Sequence, residues 1–264
     1  MKLAFIGGGV MGEAMISGVL RNGLAKPQDV AVCDLLPQRR DYLSSTYEIK
    51  ALDKPAPVLE GADIAVLAVK PQEFPAAARA LSLQPNQTVM SIMAGVTIAT
   101  IHDALKHDAI VRAIPNTPAQ IGEGMTVWTA TDAVPEADRQ AVRSVLAVLG
   151  QELYVSDEKY VDMATAVSSS GPAYIFLVME ALIDGAVHIG LRRDMAQRMV
   201  IQTMLGSAKY AQSTGKHPAD LRNQVTSPAG TTTEGLAALE KAGLRRGFIE
   251  AVQAAYEKTK RLGG

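Results

Sequence analysis

Residues 2–12 read Lys2-Leu3-Ala4-Phe5-Ile6-Gly7-Gly8-Gly9-Val10-Met11-Gly12, a short apolar run that breaks at glycines and resumes as a helical pattern. Gly7, Gly9 and Gly12 fall on a G-x-G-x-x-G spacing directly after a strand and at the opening of a helix. In that setting glycines permit a tight turn, close approach of a pyrophosphate to the backbone and close packing of helix on strand. The helix N-terminus adds free N–H groups and a positive dipole end. Gly7, Gly8, Gly9, Val10, Met11 and Gly12 are therefore candidate dinucleotide-binding residues. Asp34 closes the next apolar run, near the spacing of about 20 residues expected for a ribose contact.

Working outward, further apolar runs at 30–34, 64–69, 88–92, 109–114 and 152–155 are rich in Val, Ile and Ala. Strands buried on both faces have this texture. Helical patterns at 12–21, 74–81 and 136–149 lie between them, the first ending at Asn22-Gly23 and the last at Gly150. The alternation predicts a parallel α/β sheet with right-handed crossovers. From 156 the strand signal stops, and 172–191, 194–212, 233–242 and 244–262 read as helices. Pro172 fits a first turn, and Thr232 or Thr233 suits an N-cap. The reading is an α/β chain: a Rossmann-like dinucleotide-binding domain over 1–155, then an all-helical domain over 156–264. The helix from 173 is apolar almost all round (Ala173, Tyr174, Ile175, Phe176, Leu177, Val178, Met179), so it should be buried on most sides, best against a second subunit.

Composition narrows the function classes. The 264 residues are 48% hydrophobic and 20% charged, which excludes a disordered chain. A net charge of −1 leaves no basic field for nucleic acid. The single Cys33 forms no internal disulfide and fits a reducing, cytoplasmic home. The N-terminal apolar run is too short for a signal peptide, and Glu180 and Asp184 interrupt the most apolar helix, so no membrane span is expected. The four histidines have no metal-ligand spacing, so no metal is expected. Ser168, Ser169 and Ser170 lack the elbow of a serine hydrolase.

Two segments at strand exits, Ala68-Val69-Lys70-Pro71-Gln72 and Arg112 to Pro118, lie where open α/β sheets place ligands. Asp34 favours NAD(H) by accepting ribose hydroxyls, whereas Arg39 and Arg40 could hold the 2′-phosphate of NADP(H), so either cofactor remains open. Two hydroxyl-rich loops, one at Ser168 to Ser170 and one at Thr226 to Thr233, precede helices and suit a small carboxylate or plain N-capping.

Together these segments resemble the pyrroline-5-carboxylate reductases over nearly the whole chain. The resemblance rests on residues 5–12, Ala68 to Gln72, Ala94-Gly95-Val96, Arg112 to Pro118 and Ser170-Gly171-Pro172-Ala173-Tyr174. Its most specific piece is His217-Pro218 through Val225-Thr226-Ser227-Pro228-Ala229-Gly230-Thr231-Thr232. The resemblance implies a Rossmann domain followed by an interlocked helical dimerisation domain, with dimers assembling further, often to a decamer of five dimers. It implies that residues 7–12 hold the pyrophosphate and that Ala68, Val69, Lys70, Pro71, Met93, Ala94 and Gly95 line the rest of the dinucleotide. Ala229, Gly230, Thr231 and Thr232 would grip the substrate carboxylate, with Glu158 near the ring nitrogen. Departures from the family pattern are Ala229 for a glycine, Pro55 for an asparagine near the cofactor, and Asp34 for a small polar residue. The implied reaction reduces the C=N bond of 1-pyrroline-5-carboxylate to L-proline with hydride from NADP(H) or NAD(H). A protonated imine is already electrophilic, so the protein mainly positions it, with Thr232 the candidate for hydrogen-bonding or relaying a proton to the nitrogen. A β-hydroxyacid dehydrogenase would need a lysine in the buried helix, and none occurs between Lys159 and Lys209. Reduction of another cyclic imine and a non-catalytic dinucleotide-binding regulator are the alternatives.

Overall fold

One sheet holds eight strands: β1 (Leu3–Ile6), β2 (Val30–Cys33), β3 (Lys50–Leu52), β4 (Ile64–Leu67), β5 (Thr88–Ser91), β6 (Ile110–Ile114), β7 (Gly124–Ala130) and β8 (Gly150–Tyr154). The six apolar runs supply all of them but β3 and β7, which the sequence reading does not contain. The computed structural model describes residues 1–263. Strand order is β3-β2-β1-β4-β5-β6-β7-β8. The pairs up to β6 are parallel, with Phe5 opposite Val32 on one side and Val66 on the other. β7 runs antiparallel to β6, and β8 pairs parallel with β7. The expectation of an all-parallel sheet is therefore corrected at β7. The link from Ile114 to Gly124 is shorter than the roughly dozen residues a parallel crossover needs, so the chain can only turn back.

The connections between strands carry α1 (Val10–Arg21), α2 (Pro37–Tyr47), α3 (Ala56–Leu59), α4 (Phe74–Ala78), α5 (Ile98–Leu105) and α6 (Glu136–Ala147). α1 stops at Asn22, and Gly23 follows at φ 68°, as the Asn-Gly signal predicts. Both sheet faces are covered. Leu3 and Phe5 join one apolar cluster with Met15, Ile16, Leu43 and Trp128. Ala4 and Ile6 point the other way, onto Leu67, Phe74, Met93 and Ile101. Each such fully buried large side chain contributes about 1.5–3 kcal/mol relative to exposure.

After β8 the chain is helical: α7 (Lys159–Ala164), a π-helical turn (Thr165–Ser169), α8 (Gly171–His188), α9 (Arg193–Thr214), α10 (Pro218–Gln224), α11 (Thr231–Lys241) and α12 (Leu244–Gly263). Two compact units emerge, one of Met1–Pro172 joined by the stretch from Ala254, the other of Ala173–Gln253. Residues 156–172 thus lie in the first unit, where Val161 packs on Ile114 and Val127.

In the second unit, α8 has no buried residue, and Phe176 and Leu177 are 60% and 65% exposed. The expectation that this helix is buried on most sides is not met within one chain, because the helices beside it leave its apolar face uncovered. Lys159–His188 forms a helical run of 30 residues with a window of mean hydropathy 1.4, apolar and long enough by composition to cross a membrane. The expectation that no segment reaches this limit is corrected. The helical run begins well before Pro172, and Glu180 and Asp184 are too few to lower the average.

Candidate functional site

β1 is the point where strand order reverses, with β2 on one side and β4 on the other, and ligands of open α/β sheets bind at the carboxyl ends there. Gly7 follows β1 at φ 101°, and a Cβ on it would lie 2.7 Å from the Ala68 carbonyl oxygen. A Cβ on Gly12 would lie 2.7 Å from the Gly7 oxygen, so α1 is drawn tight onto the turn. Gly9 is different: a Cβ there would meet nothing within 4 Å. It faces open space at the N-terminus of α1, where no side chain caps the first N–H groups. That cradle of free N–H groups, with Val10 62% exposed at its edge, fits a pyrophosphate.

The ribose end is dense with hydrogen bonds. Asp34 accepts from the backbone N–H of Gly8 at 2.8 Å and of Leu36 at 2.9 Å. Arg40 donates to the carbonyls of Asp34 and Leu35 at 2.9 and 3.0 Å. Arg39 donates to the Gly8 carbonyl and to Glu13, and its guanidinium lies over the Tyr42 ring. Glu13 also accepts from the hydroxyls of Tyr42 and Tyr47 at 3.0 and 2.8 Å. Burial pushes the Glu13 carboxyl up, but the hydrogen bonds from Arg39, Tyr47 and Tyr42 outweigh it and hold the group below its usual value. The Tyr47 hydroxyl, half-buried and bonded to that carboxylate, is pushed up to about 12. Burial, then Asp34 and Asp53, push the Cys33 thiol up. The carbonyl of Pro55 accepts from Val58 and Leu59 at 3.0 Å each and opens α3.

On the other side of β1, the Ala68 N–H donates to the Ile6 carbonyl at 2.8 Å, while Lys70 is exposed and Pro71 opens a 3-10 turn. At the end of β5 the side chain of Met93 is buried in the core rather than facing a cleft. Ala94 packs against Ile114 and Val161, and Gly95 lies against Leu262 of α12. Asn116, after β6, donates to the Ser168 carbonyl at 3.0 Å and accepts from the Met125 N–H at 2.9 Å, tying its loop to the π-helical turn.

Glu158 is bound within the same unit. Its Oε1 accepts from Arg112 at 2.6 Å and from the Ile98 N–H at 2.8 Å, which caps α5. Arg112 also pairs with Asp162 at 2.5 Å and is 1% exposed on its side chain. No role was assigned to Arg112 from sequence, although the signal existed. An arginine inside the apolar strand Ile110-Val111-Arg112-Ala113-Ile114 must be paired, because an unpaired buried charge is prohibitive.

In the second unit, the Ala229 to Thr232 loop leads into α11. Ala229 stands at φ 55°, the left-handed region that favours glycine, which explains why a glycine is the expected residue there. Gly230 is the N-cap, without a side-chain cap bond. The expectation that Thr232 or Thr233 caps the helix is corrected. Both lie inside the first turn, and Thr233 Oγ1 donates back to the Ser227 carbonyl at 2.9 Å. Thr232 is half-buried in the first turn of α11, whose leading N–H groups have no side-chain cap.

Residues 158–262 match a family described as pyrroline-5-carboxylate reductase dimerisation, and residues 2–95 match one described as NADP oxidoreductase, coenzyme F420-dependent. A pyrroline-5-carboxylate reductase of Synechocystis is 39% identical over 264 residues, spanning 100% of this chain and 98% of its own. The solved pyrroline-5-carboxylate reductase of Coxiella burnetii shares 34% identity at a TM-score of 0.89, covering 100% of this chain and 98% of its own. The Plasmodium falciparum pyrroline carboxylate reductase, solved with NADP bound, shares 29% identity at a TM-score of 0.91, with coverage of 100% and 98%.

Proposed function

The chain belongs to the pyrroline-5-carboxylate reductase family, and we infer on that premise that it reduces 1-pyrroline-5-carboxylate to L-proline with NADP(H) or NAD(H). Similarity along the full length of both chains carries this reading, and the cradle at Gly9 agrees with it. When bound, the reduced dinucleotide supplies a hydride from its nicotinamide to the imine carbon. The protein's own work is positional. The Gly7 to Gly12 turn holds the pyrophosphate through the free N–H groups at the N-terminus of α1 and the α1 dipole, Asp34 and Arg39 flank the ribose, and Ala68 to Pro71 with the backbone of Met93 to Gly95 border the remainder.

We place the substrate carboxylate on Ala229, Gly230, Thr231 and Thr232, where the N-terminus of α11 offers N–H donors and a positive dipole end. The Thr232 hydroxyl hydrogen-bonds the imine nitrogen or relays its proton. Oε1 of Glu158 is committed to Arg112 and Ile98, which leaves Oε2 for the ring nitrogen. The helical half self-associates, as the match to the dimerisation family and the exposed face of α8 both favour. Assembly of dimers to a decamer and a cytoplasmic location, consistent with the lone Cys33, complete the reading. A non-catalytic regulator and a reductase of a different imine are not favoured.

Steady-state oxidation of NADPH and NADH with racemic 1-pyrroline-5-carboxylate tests this. Oxidation should depend on substrate, and Thr232→Ala should lower kcat/KM about 10- to 100-fold. If neither cofactor is oxidised while calorimetry still detects dinucleotide binding, the substrate assignment falls.

A further inference from the structure

Gly8 is bonded on both sides of its peptide. Its N–H donates to Asp34, the residue placed to accept a ribose hydroxyl, and its carbonyl accepts from Arg39. The one arginine at this point with an ion-pair partner is therefore a single residue, Gly8, away from the ribose position. That partner is Glu13, on the first turns of α1, and Tyr42 and Tyr47 lock its carboxylate from the other side. The side chains of Arg39 and Glu13 are only 24% and 21% exposed, so the pair is not an ordinary solvated surface contact. Around the ribose, Asp34 and Glu13 balance Arg39 and Arg40. A 2′-phosphate would bring about two more negative charges into that balance.

We propose that Glu13 is a specificity-determining residue of the dinucleotide site: by clamping and neutralising Arg39 against the Gly8 carbonyl, it weakens binding of a 2′-phosphorylated dinucleotide relative to an unphosphorylated one. The proposal rests on the reductase reading and names a residue that contacts no part of the substrate. Glu13→Gln keeps the length and the two tyrosine hydrogen bonds but removes the charge, leaving Arg39 free to pair with phosphate.

Calorimetric titration of the full chain with NADP+ and with NAD+ tests it, for the parent, Glu13→Gln and the double variant Glu13→Gln with Arg39→Gln. Glu13→Gln should raise the ratio of NAD+ Kd to NADP+ Kd about fivefold or more, and the gain should shrink in high salt. The double variant should return the ratio towards the parent value. Glu13→Met, also uncharged and of similar length, gives the same reading if the glutamine variant does not fold. A ratio within twofold of the parent overturns the proposal. So does a fall, which would mean that Glu13 aims Arg39 at the phosphate instead of withholding it. If the parent binds neither dinucleotide, the reductase reading itself fails, an outcome distinct from an unchanged ratio.

Discussion

β1 and α8 are both apolar along most of their length, yet Leu3, Ala4 and Phe5 are at most 1% exposed while Phe176 and Leu177 stand 60% and 65% open. The difference lies in what each chain segment finds beside it. β1 is flanked by two strands and covered on both faces by helices of its own unit, so its burial is complete within one chain. α8 meets too few neighbours in its own unit, and a large apolar face of this kind marks an interface. The first unit therefore carries an intrinsic core, and the second depends on association for one.

The largest effect that could break this contrast comes from Phe176→Asp combined with Leu177→Asp. Light scattering should show monomers, while the first unit still binds dinucleotide. Unchanged association would mean that the apolar face of α8 has another purpose. Next in size is Arg112→Ala. It strands two carboxylates beside a buried site and should cost about 3–5 kcal/mol in urea unfolding, a loss carried by the first unit alone.

A smaller effect is tied to pH. Against the push of burial, hydrogen bonds from Arg39, Tyr47 and Tyr42 hold the Glu13 carboxyl below its ordinary value in the folded chain, so its stabilisation is present above that ordinary value and is lost as the pH falls through the folded one. Glu13→Gln should accordingly cost about 1 kcal/mol near neutrality and almost nothing in strong acid, as read from unfolding curves at both pH values. Smallest is Ala229→Gly, which relieves a left-handed alanine but adds chain entropy to the unfolded state. A net gain of roughly 0.5 kcal/mol, seen as a slightly raised Tm, is expected.

The glycine motif and the strands that became β1, β2, β4, β5 and β6 were legible because a strand covered on both faces is apolar throughout. β3 was missed because it is a three-residue edge strand that begins with an exposed lysine. α2 was missed for a related reason: of its eleven residues only Leu43 is buried, so it has almost no apolar stripe to read. Asp34 and Arg39 could be picked out as candidates for a ribose contact, but not the partner that each would choose. Glu13 lies 26 residues from Arg39, and Glu158 lies 46 from Arg112. Pairings at such separations are created by the sheet, which brings the carboxyl ends of distant strands together, and local sequence patterns carry no record of them.

The stretch from Ala254 returns to the first unit. Leu262 on α12 packs beside Gly95, and Thr259 is buried in the same unit as β1. During synthesis on the ribosome, then, the dinucleotide half can form most of its sheet early but cannot receive the stretch from Ala254 until residues 173–253 have been made. A nascent chain halted before residue 254 would present an unfinished surface at Gly95, so the first unit closes only after the stretch from Ala254 has been made.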